Sequence, residues 1–182
     1  MCGITGIFDT QGKRPIDRGL LERMNDRQSH RGPDGSGYHV EPGVGFGHRR
    51  LSIIDLSGGA QPMYNEDESV VVTFNGEIYE FAALMDELKS KGYVFRTRCD
   101  TEVIIHAWQE WGEACLEHLH GMFAFAIWDR NREQLFLARD RFGKKPLYYT
   151  FLDDGTFAFT SELKGLREHP RLDTTIDPTA VE

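Results

Sequence analysis

The order of apolar and polar residues predicts a chain of many short strands with a few helices among them. Apolar positions at helical spacing predict helices over 15–28, 81–91 and 101–111. Runs of β-branched and aromatic residues predict strands over 1–8, 44–54, 70–74, 122–128, 134–138, 146–151 and 156–160. Because strands and helices do not alternate one for one, the pattern favours an α+β layered domain over repeated βαβ units.

Local signals suggest where several of these elements begin and end. Pro15 suits the first turn of the first helix, and Asp100 or Thr101 is placed to cap the third. Residues 30–37 form a dense Gly- and Pro-containing segment, which predicts a loop. Asn75-Gly76 is a strong turn pair, so we expect the strand over 70–74 to stop there.

Length, charge and cysteine content argue against several classes of protein. The chain has 182 residues and a net charge of 21 − 29 = −8, which suits one domain and argues against a nucleic-acid binder. It has no apolar run long enough for a membrane span and no signal peptide. Three cysteines without CxxC spacing suit neither a disulfide scaffold nor a zinc site, so we expect a cytoplasmic protein. The segment 171–182 has no obvious core residues, and we expect it to begin a linker within a larger parent protein.

Cys2 is the residue whose side chain points most clearly to a catalytic role. Removal of Met1 would leave a cysteine that carries both a thiol and a free α-amine. The amine titrates near ~8 and the thiol near ~8.5, so one residue could supply nucleophile and general base. Read from its position alone, Cys2 is equally a small buried residue of a first strand.

Eight segments of the chain occur in an order that resembles a known family. They are MCGITGIF (1–8), HRGPD (30–34), RLSIID (50–55), QPM (61–63), FNGEIY (74–79), CDTE (99–102), GMFAFA (121–126) and RDRFGKKPLYY (139–149). Together they resemble the N-terminal glutaminase domain of asparagine synthase-type amidotransferases, which are class II, N-terminal nucleophile enzymes. The resemblance covers residues 1–170.

The resemblance implies a four-layer αββα sandwich of two antiparallel sheets and a thioester mechanism on Cys2. It assigns Asn75 and Gly76 as donors to the oxyanion, while the local alternative for this pair is a plain turn. For glutamine itself it implies Arg50 at the α-carboxylate, with Arg49 the weaker candidate, and Asp100 at the α-ammonium, unless Asp100 only caps a helix. The resemblance places further pocket residues at Leu51, Ser52, Ile53, Ile54 and Glu77.

The resemblance also implies partners. L-glutamine is the expected substrate, with no metal and no cofactor in this domain, and ATP with Mg²⁺ in a C-terminal synthetase domain. The resemblance leaves open whether the protein forms a homodimer. Neither nucleic acid nor a membrane is an expected partner. Two other functions stay open: an N-terminal cysteine acylase acting on another amide, and a catalytically silent domain used for regulation or subunit contact. Arg31 and Asp34 either order a loop beside the pocket or pair within their own turn.

Overall fold

The computed structural model describes residues 1–52, 59–175 and 179, and it contains two antiparallel sheets. The first sheet has the strand order β2-β3-β1-β9-β8 and the second has the order β4-β5-β6-β7. The first sheet comprises β1 (Gly3–Asp9), β2 (Gly35–Glu41), β3 (Val44–Arg50), β8 (Tyr148–Phe151) and β9 (Thr156–Thr160). The second comprises β4 (Met63–Tyr64), β5 (Val70–Ile78), β6 (Gly121–Asp129) and β7 (Gln134–Arg139).

Helices cover the outer face of each sheet. They are α1 (Arg18–Asp26), α2 (Phe81–Ser90), α3 (Asp100–Trp111), α4 (Cys115–His118) and α5 (Leu163–Leu166). Helices α1 and α5 pack on the first sheet around Leu21 and Met24, whereas α3 packs on the second around Trp108. A third apolar cluster, which includes Phe46 and Phe159, fills the space between the sheets. The predicted four-layer αββα sandwich is therefore confirmed.

Strand alternation decides which side chains enter the space between the sheets. Ile4 on β1, Phe46 on β3 and Val71 on β5 all belong to the cluster between the sheets. Since side chains along a strand alternate between faces, Cys2 and Asn75 share the inward parity of Ile4 and Val71. On β3 the inward positions after Phe46 are 48 and 50. Both are polar residues, His48 and Arg50.

Three local predictions were wrong. Strand β5 continues through the Asn75-Gly76 pair to Ile78, because β6 pairs with it residue for residue along its whole length. Helix α1 begins after Asp17, whose carboxylate accepts from the amide of Leu20 at 3.1 Å, so Pro15 lies outside the helix. The residue before the first turn of α3 is Cys99, which makes no side-chain cap, and Asp100 is already helical.

Candidate active site

Strand ends from both sheets and the start of α3 meet around one cavity of about 80 Å³. A single buried water needs about 10–15 Å³ of such space, so the cavity has room for a small polar ligand. Its lining residues are Met1, Cys2, His48, Arg50, Leu51, Gly59, Gln61, Phe74, Asn75, Gly76, Glu77, Cys99, Asp100, Thr101 and Lys145.

The Leu51 backbone and the Arg31 side chain contact Cys2 from two sides. Its Sγ lies 3.4 Å from the amide nitrogen and 3.7 Å from the carbonyl oxygen of Leu51. On the other side, Nε of Arg31 donates to the Cys2 carbonyl oxygen at 2.9 Å. The thiol therefore faces the cavity at the point where β1 and the segment after β3 come together.

The edge of β5 presents a set of backbone amides to the cavity. The amide of Phe74 donates to Oε1 of Gln61 at 2.6 Å, and the amide of Ile78 donates to Oδ2 of Asp100 at 3.0 Å. Amides two residues apart on a strand point the same way, so the Gly76 amide points to this edge between them. No described residue accepts a hydrogen bond from it. The Nδ2 atom of Asn75 is buried, with no partner among the described residues.

Gly76 is required at its position by its surroundings. A Cβ there would lie 2.3 Å from the Met122 carbonyl oxygen and 2.8 Å from the Phe123 Cα, both of which are backbone atoms. No side chain fits between β5 and β6 at this point.

The cavity contains charges of both signs. Asp100 and Glu77 contribute carboxylates, and Arg50 and Lys145 contribute cations. Burial raises the pKa of Asp100, and the charge of Glu77 adds to this, although the amides of Ile78 and Thr101 oppose it. A positively charged ligand group beside Asp100 would relieve that cost.

His48 lies deeper in the same cavity and is 1% exposed. Burial lowers its pKa to about 4, which the nearby Arg50 reinforces and a hydrogen bond to the Phe74 carbonyl opposes. Its ring is therefore neutral at physiological pH. Nε2 lies 3.1 Å from that carbonyl, which can only accept, so Nε2 carries the proton and His48 anchors the backbone next to Asn75.

Most of the residues singled out from the sequence meet at this cavity. Those that line it are Cys2, Arg50, Leu51, Asn75, Gly76, Glu77 and Asp100. Ser52 does not, and its amide donates instead to Oδ2 of Asp34 at 2.8 Å. Ile53 and Ile54 lie outside the described residues.

Two arginine interpretations are settled by their contacts. Arg49 is mostly buried and forms an ion pair with Asp26. Arg31 pairs with Glu162 at 3.1 Å, so the ion pair within its own turn is wrong. Asp34, which holds the Ser52 amide, orders the segment beside the pocket.

The sequence did not single out His48, Gln61, Thr101 or Lys145 as cavity residues. The alternation of β3 contained a signal for His48, which lies two residues before Arg50 on the same inward row. Nothing local marks Gln61, whose Nε2 reaches Oγ1 of Thr101 at 3.3 Å across 40 residues of chain.

Two solved structures share this fold. A glutamine phosphoribosylpyrophosphate amidotransferase from B. subtilis, solved with ADP and GMP, matches 91% of this chain and 43% of its own with a TM-score of 0.74. A structure described as the allosteric regulatory enzyme of purine biosynthesis matches 92% of this chain and 43% of its own with a TM-score of 0.76. Both are 21% identical in sequence, so they establish the fold alone, a sandwich of two antiparallel sheets.

Sequence comparisons identify the family to which the chain belongs. A family model described as a glutamine amidotransferase domain matches residues 1–182, and the chain belongs to this family. Asparagine synthetase [glutamine-hydrolyzing] 3 of Bacillus subtilis is 43% identical over the whole chain, which spans 30% of that protein. Asparagine synthetase [glutamine-hydrolyzing] 1 of the same organism is 47% identical over 91% of the chain, across 26% of its length. An Arabidopsis thaliana asparagine synthetase, number 3, is 42% identical over 92% of the chain and 29% of its own length.

The described residues contain neither a membrane-spanning helix nor a metal-binding cluster. Among residues 1–52, 59–175 and 179, no helix is both long and apolar enough to cross a bilayer. In that same part of the chain, no three His, Cys, Asp or Glu side chains come together as a metal site.

Proposed function

We propose that this domain hydrolyses L-glutamine to glutamate and ammonia, with Cys2 as the nucleophile. The observation that carries the proposal is the pair of unpartnered donors, Asn75 Nδ2 and the Gly76 amide, in the same cavity as the Cys2 thiol. A thiol that shares a cavity with two N–H donors is the arrangement that acyl transfer needs.

The chemical steps follow from the groups at hand. Once Met1 is removed, the α-amine of Cys2 takes the thiol proton, and the sulfur attacks the side-chain amide carbon of glutamine. The tetrahedral intermediate collapses as that proton passes to the leaving nitrogen, which releases ammonia and leaves a γ-glutamyl thioester. Water then attacks the thioester, and glutamate leaves as the thiol is reformed.

Both tetrahedral intermediates carry a negative oxygen. Asn75 and Gly76 are proposed to donate to it, and Asn75 Nδ2 has no other partner among the described residues that would compete. Gln61 and Asp100 support this role because their hydrogen bonds to Phe74 and Ile78 hold β5 on both sides of Gly76. The donors are therefore fixed before the substrate arrives, which is the property that makes such a site effective.

Charges in the cavity favour a free amino acid over other amides. The guanidinium of Arg50 matches an α-carboxylate, which it can bind in a bidentate way. The carboxylates of Asp100 and Glu77 match an α-ammonium. An acylase acting on another amide would not need both signs, so this pairing supports glutamine.

We further propose that the ammonia passes to an ATP-dependent synthetase domain of a larger protein. The chain spans less than a third of the asparagine synthetases that it matches. In this proposal residues 1–170 form the glutaminase unit and 171–182 begin the linker. ATP and Mg²⁺ would then bind outside this chain, and the acceptor would be chosen there.

The test is glutamate release from glutamine by this chain, with the intact mass of the same sample recorded. We expect turnover from protein that lacks Met1, none from Cys2→Ala, and retained turnover from Cys115→Ala, a control at a buried thiol of the core. Turnover by Cys2→Ala would refute the nucleophile assignment. Protein that lacks Met1 but neither turns over glutamine nor reacts at Cys2 with a diazoketone analogue of glutamine would support the silent-domain alternative.

A further inference from the structure

The segment after β9 is hydrogen-bonded to the first strand of the chain. Ser161 is fully buried, and its Oγ accepts from the Ile4 amide at 3.0 Å. The amide of Ser161 in turn donates to the Ile4 carbonyl at 2.9 Å. This two-way contact extends the pairing of β1 with β9 past Thr160. The segment is therefore built to hold the N-terminal strand.

The carboxylate of Glu162, the next residue, contacts two cations and a histidine ring. Its Oε1 lies 3.0 Å from Nε2 of His30 and 3.1 Å from Nη1 of Arg31, and its Oε2 lies 3.0 Å from Nζ of Lys164. Burial alone would raise its pKa, but Lys164, Arg31 and His30 lower it to about 2. Glu162 is thus charged at neutral pH.

One of these three partners of Glu162 contacts the proposed nucleophile. The Arg31 side chain is 8% exposed, and its Nε donates to the Cys2 carbonyl at 2.9 Å. Its Nη2 is buried with no partner among the described residues. Glu162 is the carboxylate that Arg31 contacts, so without it a buried guanidinium would lose its counter-charge and one of its anchors.

Cys2 depends on this contact for its orientation. Strand β1 begins at Gly3, so Cys2 lies before the paired residues of the sheet. On the other side, only the loose contacts of Sγ with the Leu51 backbone hold it within the described residues. Rotation about its backbone would move the thiol and the α-amine together.

We propose that Glu162 is a positioning residue for the nucleophile, acting through Arg31 on the Cys2 carbonyl. The inference rests on the proposed function of Cys2 and deepens it. Glu162 touches neither the cavity nor the expected ligand, so it acts on the rate of attack and leaves glutamine binding unchanged.

The experiment compares Glu162→Gln with the wild-type chain and with Glu168→Gln. Glu168 lies on the same segment and pairs with Arg27, away from Cys2, so it is a matched loss of one carboxylate. Two quantities are measured: glutaminase kcat and KM, and the rate at which a diazoketone analogue of glutamine labels Cys2. Final labelling by mass counts the competent sites, which corrects for any misfolded fraction.

We expect Glu162→Gln to lower kcat per labelled site and the labelling rate constant at least tenfold, with KM changed less than twofold. Glu168→Gln should match the wild type in both, and Glu162→Asp should recover part of the loss. Unchanged rates in Glu162→Gln would overturn the inference while leaving the proposed function intact. A tenfold rise in KM at constant kcat, or a loss explained wholly by fewer competent sites, would also overturn it. A wild-type chain that neither turns over glutamine nor labels at Cys2 would refute the proposed function itself.

Discussion

Removal of the Asn75 side-chain donor should slow catalysis without weakening substrate binding. Nδ2 of Asn75 makes no hydrogen bond to a described residue, so Asn75→Ala breaks no bond that this atom donates. The lost donor matters only when the negative oxygen forms. One such donor is worth about 3 kcal/mol of transition-state stabilisation, which corresponds to roughly a hundredfold in kcat.

The assay is glutamate release at saturating and at limiting glutamine, which separates kcat from KM. Thr73→Val is the matched control, because Thr73 lies two residues earlier on the inward row of β5. Within the described residues, its hydroxyl makes a single long hydrogen bond, to the Gly47 carbonyl at 3.5 Å. This variant should keep kcat within about twofold. A loss of kcat below fivefold in Asn75→Ala, or a loss that appears entirely in KM, would refute the reasoning.

Three further predictions concern the other groups around the cavity. Asp100→Asn keeps an oxygen for the Ile78 amide but removes the charge, so we expect KM for glutamine to rise roughly 10- to 100-fold at nearly constant kcat; an unchanged KM would move the ammonium site elsewhere. Gly76→Ala would force a Cβ against backbone atoms of β6, and we expect the free energy of unfolding, measured in urea, to fall by about 1–3 kcal/mol; equal urea midpoints would contradict the contact. His48 has a folded-state pKa of about 4, below its unfolded value, so the unfolded chain binds the proton first and stability declines as the pH falls from about 6.5 toward 4. Between pH 7 and pH 5 this should cost about 2 kcal/mol, and a His48→Gln variant should lose that part of the pH dependence; an equal pH dependence in both proteins would count against it.

The fold and much of the site could be predicted because their signals are local or follow from ordered motifs. The strand pattern and the eight segments were sufficient for the layered sandwich. Cys2, Arg50 and Asp100 were found from residue type and resemblance, and all three line one cavity.

The remaining features arise from contacts that are distant in sequence. Asn75-Gly76 is a turn by dipeptide preference, but pairing with β6 over the whole of β5 outweighs it. Glu162 and Arg31 are separated by 131 positions and meet only because β9 lies beside β1. Neither the hydrophobic periodicity of the sequence nor the spacing of its motifs predicts such a pair.

The shortness of β4 has a consequence for how the domain could be switched off. An edge strand normally invites another strand, and proteins protect such edges. In the register of β4 with β5, two more residues of pairing would place residue 61 opposite Phe74, and two beyond that would place Gly59 opposite Gly76. Pro62 has no N–H to continue the ladder, and the Gln61 side chain takes the Phe74 amide instead. An extended peptide that paired with this edge would consume the Gly76 amide, so it would inhibit the enzyme by completing its sheet rather than by resembling its substrate.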